Sequence, residues 1–181
     1  MIQITLTDTG VHAELTRLLR RIQDPTPALD AIGVRIVDFT KDRFEVSQDP
    51  YGTPWEPNKD STLRAMLHSN TQNFTRRGTV SARGQSLLTG KKPLIGEGRS
   101  IGEGRSLSTQ FHHSVLGHAV DVRSSMNYAA MQQFGGTKAR FPHLWGDIPA
   151  RPFFPDAQRG LPAPLIEQII LVLQDYLDSR V

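Results

Sequence analysis

Three histidines, His112, His113 and His118, are the residues most suited to chemistry in this chain, because neutral imidazoles are common metal ligands. Their spacing argues against a shared ion. On an extended strand His112 and His113 point to opposite faces, and Gly117-His118 reads as a turn. No carboxylate completes a helical His-Glu-x-x-His pattern or a facial triad. No serine sits in a Gly-x-Ser-x-Gly elbow, and no pair of acids stands in a recognisable hydrolytic frame. Asp49 and Asp147 adjoin turn residues and read as turn caps. The expectation is therefore no catalytic residue, no metal, no cofactor and no enzyme.

With 181 residues the chain is long enough for one domain with a real core, although its 15 Gly and 12 Pro imply much loop. The absence of cysteine excludes disulfides and thiolate metal sites. Met1-Ile2-Gln3-Ile4-Thr5-Leu6 alternates like a short strand and lacks the features of a signal peptide. No apolar run approaches the roughly 20 residues that span a bilayer, so no membrane is expected. The net charge of +3 is unevenly distributed. Nine Lys or Arg and only three acids lie between Pro57 and Thr109, which leaves the remainder mildly acidic.

The elements that would position any site follow from periodicity. Val11, Leu15, Leu18, Leu19 and Ile22 predict a helix over about 11–23, with Asp8 or Thr9 as its cap. Asp24-Pro25-Thr26-Pro27 ends it and opens a second helix to about Val46. Ser61 to Leu67 suits a brief helix. From Asn70 to Ser106 apolar residues are few and no period is sustained, so a basic loop is expected. Within it the hexapeptide Ile95–Ser100 is repeated at once as Ile101–Ser106. Two copies are too few for a solenoid and the glycines do not fit a phosphate loop, so a duplication in a length-tolerant loop is the reading.

Alternation over Phe111–Leu116 and Ala119–Arg123, joined at Gly117-His118, predicts a β-hairpin. Asn127 can cap a helix from Tyr128 to Phe134, stopped by Gly135-Gly136 in a left-handed conformation. The prolines of Ile148 to Phe154 confine that stretch to a sheet edge or an extended arm. A last helix from about Pro162 carries Leu165, Ile166, Ile169, Ile170, Val172, Leu173, Tyr176 and Leu177. The fold class is α+β: a small antiparallel sheet packed against two N-terminal helices and a C-terminal helix. The expected organisation is one domain, 1–181, with a flexible loop insertion at about 70–106.

Two signatures stand out against this background. One is Asp49-Pro50-Tyr51-Gly52-Thr53-Pro54-Trp55, preceded by Phe44. The other is Tyr128-Ala129 with Gln133-Phe134-Gly135-Gly136, followed by Ile148-Pro149-Ala150-Arg151-Pro152-Phe153. With Leu88-Thr89-Gly90 between them, the chain resembles the phage virion morphogenesis family, also called tail completion proteins, of Mu-like and related tailed phages and prophages. The resemblance runs over about residues 1–178 and has no counterpart for the duplicated hexapeptide.

That resemblance implies a structural virion protein of the neck, located in the virion and in the host cytoplasm during assembly. It would form a ring, as a hexamer, that completes the tail or joins it to the head. Its implied partners are copies of itself and other neck proteins, such as the connector or stopper and the tail terminator or tail tube. Trp55, Tyr128, Phe134, Arg151, Phe153 and Phe154 are the candidates for subunit contacts, since aromatics and Arg are favoured there. Trp55, between two prolines, reads more readily as a plug over a core edge, and Tyr128 and Phe134 can be core. Pro50, Gly52, Gly135 and Gly136 read as residues that set backbone shape. Arg76, Arg77, Arg83, Lys91, Lys92, Arg99 and Arg105 could contact genome DNA in a channel or face a partner. The alternative is a nucleic-acid-binding accessory protein that uses this basic stretch, although it lacks stacking aromatics and a helix-turn-helix.

Overall fold

The computed structural model describes residues 9–94, 106–144 and 146–178. Six α-helices and one two-stranded antiparallel sheet lie among them, an α+β arrangement. In chain order they are α1 (Thr9–Gln23), α2 (Thr26–Val46), α3 (Asp60–His68), α4 (Ala82–Gly90), β1 (Phe111–Leu116), β2 (Ala119–Ser124), α5 (Ala129–Phe134) and α6 (Ala163–Asp178). The alternating start at residues 2–6 and the repeat residues 95–105 lie outside the described residues, and so do Arg99 and Arg105.

The chain divides into two compact units. Unit 1 comprises residues 1–38, 113–123 and 163–181, and so takes α1, the first part of α2, most of the hairpin, and α6. Its α2 begins after Pro25, with the Asp24 carboxylate accepting from the Thr26 N–H at 3.2 Å. Hydrogen bonding from the Thr26 side chain, and then from its N–H, holds the exposed Asp24 carboxyl below its ordinary pKa. Ala28, Ile32, Val37 and Leu165 are its buried apolar residues. Gly33 lies against the His113 ring, where a Cβ would collide, and His113 Nε2 meets the Asp30 carboxylate at 2.9 Å. Helices α1 and α6 are joined near their C-terminal ends. Arg21 donates to the carbonyls of Tyr176 and Leu177 at 2.6 and 2.8 Å, and the Tyr176 hydroxyl donates to the Asp24 carbonyl at 2.6 Å.

Unit 2 comprises residues 39–112 and 124–162 and is built on aromatics. Phe44, at the C-terminal end of α2, has Trp55, Phe111 and Phe153 around it at ring-centroid distances of 5.2 to 5.7 Å. These edge and tilted packings are the arrangements that aromatic quadrupoles favour.

The stretch expected as a loop from Asn70 is in part folded. A 3₁₀ turn at Thr71–Asn73 leads to a tight reversal, with Thr75 N–H donating to Thr79 O at 2.7 Å and Gly78 at φ +77°. Helix α4 follows. Its sequence has no apolar period, and its start is set by the Ser81 hydroxyl, which accepts from Gly84 N–H and donates to the Gln72 carbonyl. Gly84 is buried so tightly that a Cβ would lie 2.5 Å from the Asn73 carbonyl. Buried Asn73 in turn donates to the Leu67 carbonyl at the end of α3 at 2.9 Å. Capping and close backbone approach do here what periodicity does elsewhere.

Candidate functional site

The first signature is a closed corner. Asp49 Oδ1 accepts from the N–H groups of Tyr51 and Thr53 at 2.8 and 2.7 Å, and the Asp49 N–H donates to the Thr53 carbonyl. Pro50 is buried and Gly52 takes φ +90°, a conformation that strains any side chain. The reversal returns the chain so that Trp55 N–H donates to the Ser47 carbonyl at 2.8 Å. Asp49 is thus a turn cap, as its neighbours suggest.

The second signature is fastened to the first by side chains that satisfy backbone groups. Trp55 Nε1 donates to the Pro152 carbonyl at 2.8 Å. Arg151 sends its guanidinium back to the carbonyls of Glu56 and Pro57 at 2.9 and 3.0 Å. Desolvation lowers the Arg151 pKa from its ordinary value, and the Glu56 charge opposes that shift. Gln133 clamps the extended stretch from the other side. Its Oε1 accepts from Phe153 and Phe154 N–H at 2.9 and 3.0 Å, and its Nε2 donates to the Phe154 carbonyl. The Tyr51 hydroxyl donates to Gly160 O at 2.7 Å and accepts from Asp156 N–H at 2.9 Å.

Helix α5 starts at Ala129, one residue later than expected, with Tyr128 rather than Asn127 in the N-cap position, and Tyr128 makes no capping side-chain bond. Gly135 ends it at φ +70°, ψ 178°, a more extended conformation than the left-handed stop expected. The reason is the neighbouring strand. Gly136 bridges Ile148, and a Cβ on Gly135 would lie 2.8 Å from Ala150 N and 2.9 Å from Ile148 O.

Of the six aromatic and Arg contact candidates, Trp55, Arg151 and Phe153 are buried within unit 2. Tyr128 and Phe154 are half-buried. Phe134 is 78% exposed. It stands on a cleft of about 700 Å³, with Met126, Ala130, Phe154 and Pro155 on its apolar wall. At the polar end of the cleft the Arg159 guanidinium lies 3.5 Å over the Tyr51 ring and 3.8 Å from Asp49 Oδ2. Sequence reasoning missed Gln133, Tyr51 and Arg159 as position-holding residues. An amide within a signature was the available sign for Gln133; nothing local marked Arg159.

The described basic candidates differ in what they touch. Arg76 and Arg77 are exposed at the tip of the Thr75–Thr79 reversal. Arg83 donates to the Gln72 side chain at 2.9 Å. Lys92 Nζ donates to the Glu45 carbonyl in the last turn of α2 at 2.6 Å, where a cation suits the helix end. Lys91 is half-buried, and its carbonyl accepts from Asn58. Among the described residues no three His, Cys, Asp or Glu gather in a metal-ready group. No helix among them is long and apolar enough to cross a membrane.

Residues 6–89 match the model of the phage virion morphogenesis family. The match contains Phe44, the whole Asp49–Trp55 corner and Leu88-Thr89, and stops short of the second signature, so it is narrower than the 1–178 span of the resemblance. Comparison with curated proteins and with solved structures gives no match. Over residues 6–89, a little under half of its length, the chain is similar to the phage virion morphogenesis family.

Proposed function

We propose that the protein is a structural component of the phage neck, acting in tail completion or head–tail joining as a ring of six copies, with no catalytic step. The observation that carries this reading is the Asp49–Trp55 corner. It lies inside the family match, and its polar groups are committed to holding backbone shape. Such a scaffold suits a part that must present fixed surfaces to copies of itself and to other neck proteins. Among the contact candidates Phe134 and the cleft beside it, with half-buried Tyr128 and Phe154, are the accessible ones. Trp55, Arg151 and Phe153 support that surface from within.

The experiment is removal of the chain from a phage or prophage that encodes it, with particles inspected by electron microscopy. Heads and tails that fail to join, or tails left incomplete, are expected. Normal infectious particles sink the proposal.

The second reading is nucleic-acid contact, and the exposed pair Arg76 and Arg77 favours it. Binding to duplex DNA at low and at physiological salt separates the two. Tight, salt-sensitive binding by a monomer that Arg76→Ala with Arg77→Ala abolishes favours the accessory role. Unchanged DNA retention in particles carrying that double variant removes it.

A further inference from the structure

The hairpin is a sheet of only two strands, and β2 leaves one of its edges open. Gly117-His118 is a two-residue turn with Gly117 at φ +61°, so Leu116 and Ala119 close the ladder. The Ser125 N–H donates to the Gln110 carbonyl at 3.2 Å, which keeps the same register at the far end. Bonded pairs alternate along an antiparallel ladder. Ser114 and Asp121 therefore bond each other, while the N–H and C=O groups of Val120 and Val122 point away from β1. Among the described residues no hydrogen bond reaches those outward groups.

The two faces of β2 differ. Val120 and Val122 are half-buried on the face shared with His113, whose ring lies against Gly33. Asp121 and Arg123 share the other face with side chains 44% and 60% exposed, and they pair with each other at 2.6 Å. Arg123 Nη2 also donates to the Ser114 hydroxyl at 3.1 Å. Asp121 Oδ1 and the Nε and Nη1 of Arg123 take no protein partner among the described residues. Strand edges that stay single are commonly guarded by Lys or Pro. β2 has neither.

We infer that β2 is a pairing edge for a second copy of this chain, antiparallel to itself about a two-fold axis at Val122. That centre makes the two Val122 residues a bonded pair, because their backbone groups already point outward. It also sets Asp121 of each copy directly opposite Arg123 of the other, within cross-strand reach. The four charges then alternate in one network, which keeps the pair inside each copy and adds two between copies. Charge selects this register. A centre at Val120 sets Asp121 against Ala119 and Arg123 against Gly117. Charge also selects this strand, since β1 holds no acid to meet Arg123. The contact is isologous, so it is not the contact between neighbours in a single ring. It goes beyond the ring reading and concerns the chain outside that ring.

The test uses the purified full chain, with mass read against concentration by sedimentation. The wild type should reach twice its monomer mass of 20.2 kDa. Asp121→Arg makes both charged positions basic, and Arg123→Asp makes both acidic. Each variant alone should lose at least about tenfold in self-affinity, because like charges then stand opposite. Mixed one to one the two should pair again, since each carries the complement of the other. The double exchange, Asp121→Arg with Arg123→Asp, should pair with itself as the wild type does. In the dimer the Val122 amide should exchange slowly with deuterium, and in the single variants quickly. A monomeric wild type, single variants that still dimerise, or a mixture that stays monomeric overturns the inference. So does a dimer whose Val122 amide exchanges as fast as in the variants. Circular dichroism checks folding. If a single variant unfolds, Val122→Pro should give the monomer instead, since it removes an outward N–H and spares the β1 ladder. A monomer still required for infectious particles overturns this contact and leaves the virion role standing. A dimer that particles do not need does the reverse.

Discussion

Unit 1 and unit 2 handle apolar residues in opposite ways. Unit 2 buries a cluster of large rings, with Trp55, Phe111 and Phe153 around Phe44, although Phe134 is exposed. Unit 1 buries aliphatic residues, Ala28, Ile32, Val37 and Leu165, and leaves other apolar residues of α1 and α6, such as Leu15, Ile22 and Ile170, exposed. An aromatic cluster defines its own shape because rings pack in few geometries. An aliphatic stripe on a helix is a half-interface that needs another surface.

The most severe way to break that contrast is Phe44→Ala. Its loss should destabilise the protein by about 3–5 kcal/mol in urea unfolding, whereas exposed Ile22→Ala should stay within about 0.5 kcal/mol for the monomer. Equal effects would mean that Ile22 is part of a core after all. Gly135→Ala should cost about 3 kcal/mol, since φ +70° and the nearby Ala150 and Ile148 backbone leave no space for a methyl group. A wild-type midpoint would show that the α5 stop is loose.

Gln133→Leu should cost about 2 kcal/mol, because it strands two N–H groups and a carbonyl beside the Phe153 packing. The same readout in Gln133→Glu sharpens the assignment, since a carboxylate keeps the two acceptor bonds and loses only the donor.

The smallest effect is in unit 1. The Asp24 pKa is lowered by its bonds to Thr26, so its contribution is present above the ordinary Asp pKa and disappears as pH falls through the folded-state value. Asp24→Ala should therefore lower the thermal midpoint slightly at neutral pH and not at all in strong acid. A difference that grows on acidification contradicts the cap.

Much of the fold was legible in periodicity. The sequence places α1, α2, the hairpin and α6 within a few residues of their observed bounds, because each carries an apolar repeat that only one period fits. Helix α4 was not legible. Its stability comes from a serine cap and from Gly84 packed on Asn73, and neither leaves a periodic trace. Arg151 reads in sequence as a residue for reaching a neighbouring subunit. In the structure its guanidinium finds two carbonyls some ninety residues earlier in its own chain. No local pattern encodes that partner.

What the sequence determined by itself was the set of turns and stripes: the Asp49–Gly52 reversal, the Gly135 stop, and the apolar residues at helical spacing on α1 and α6. These depend on φ, on capping and on helical pitch, all of which act over a few residues. Tertiary structure alone decided which stripes are covered. An amphipathic helix specifies that it has an apolar face, and only the packing of the chain decides whether that face meets its own core or is left for another molecule.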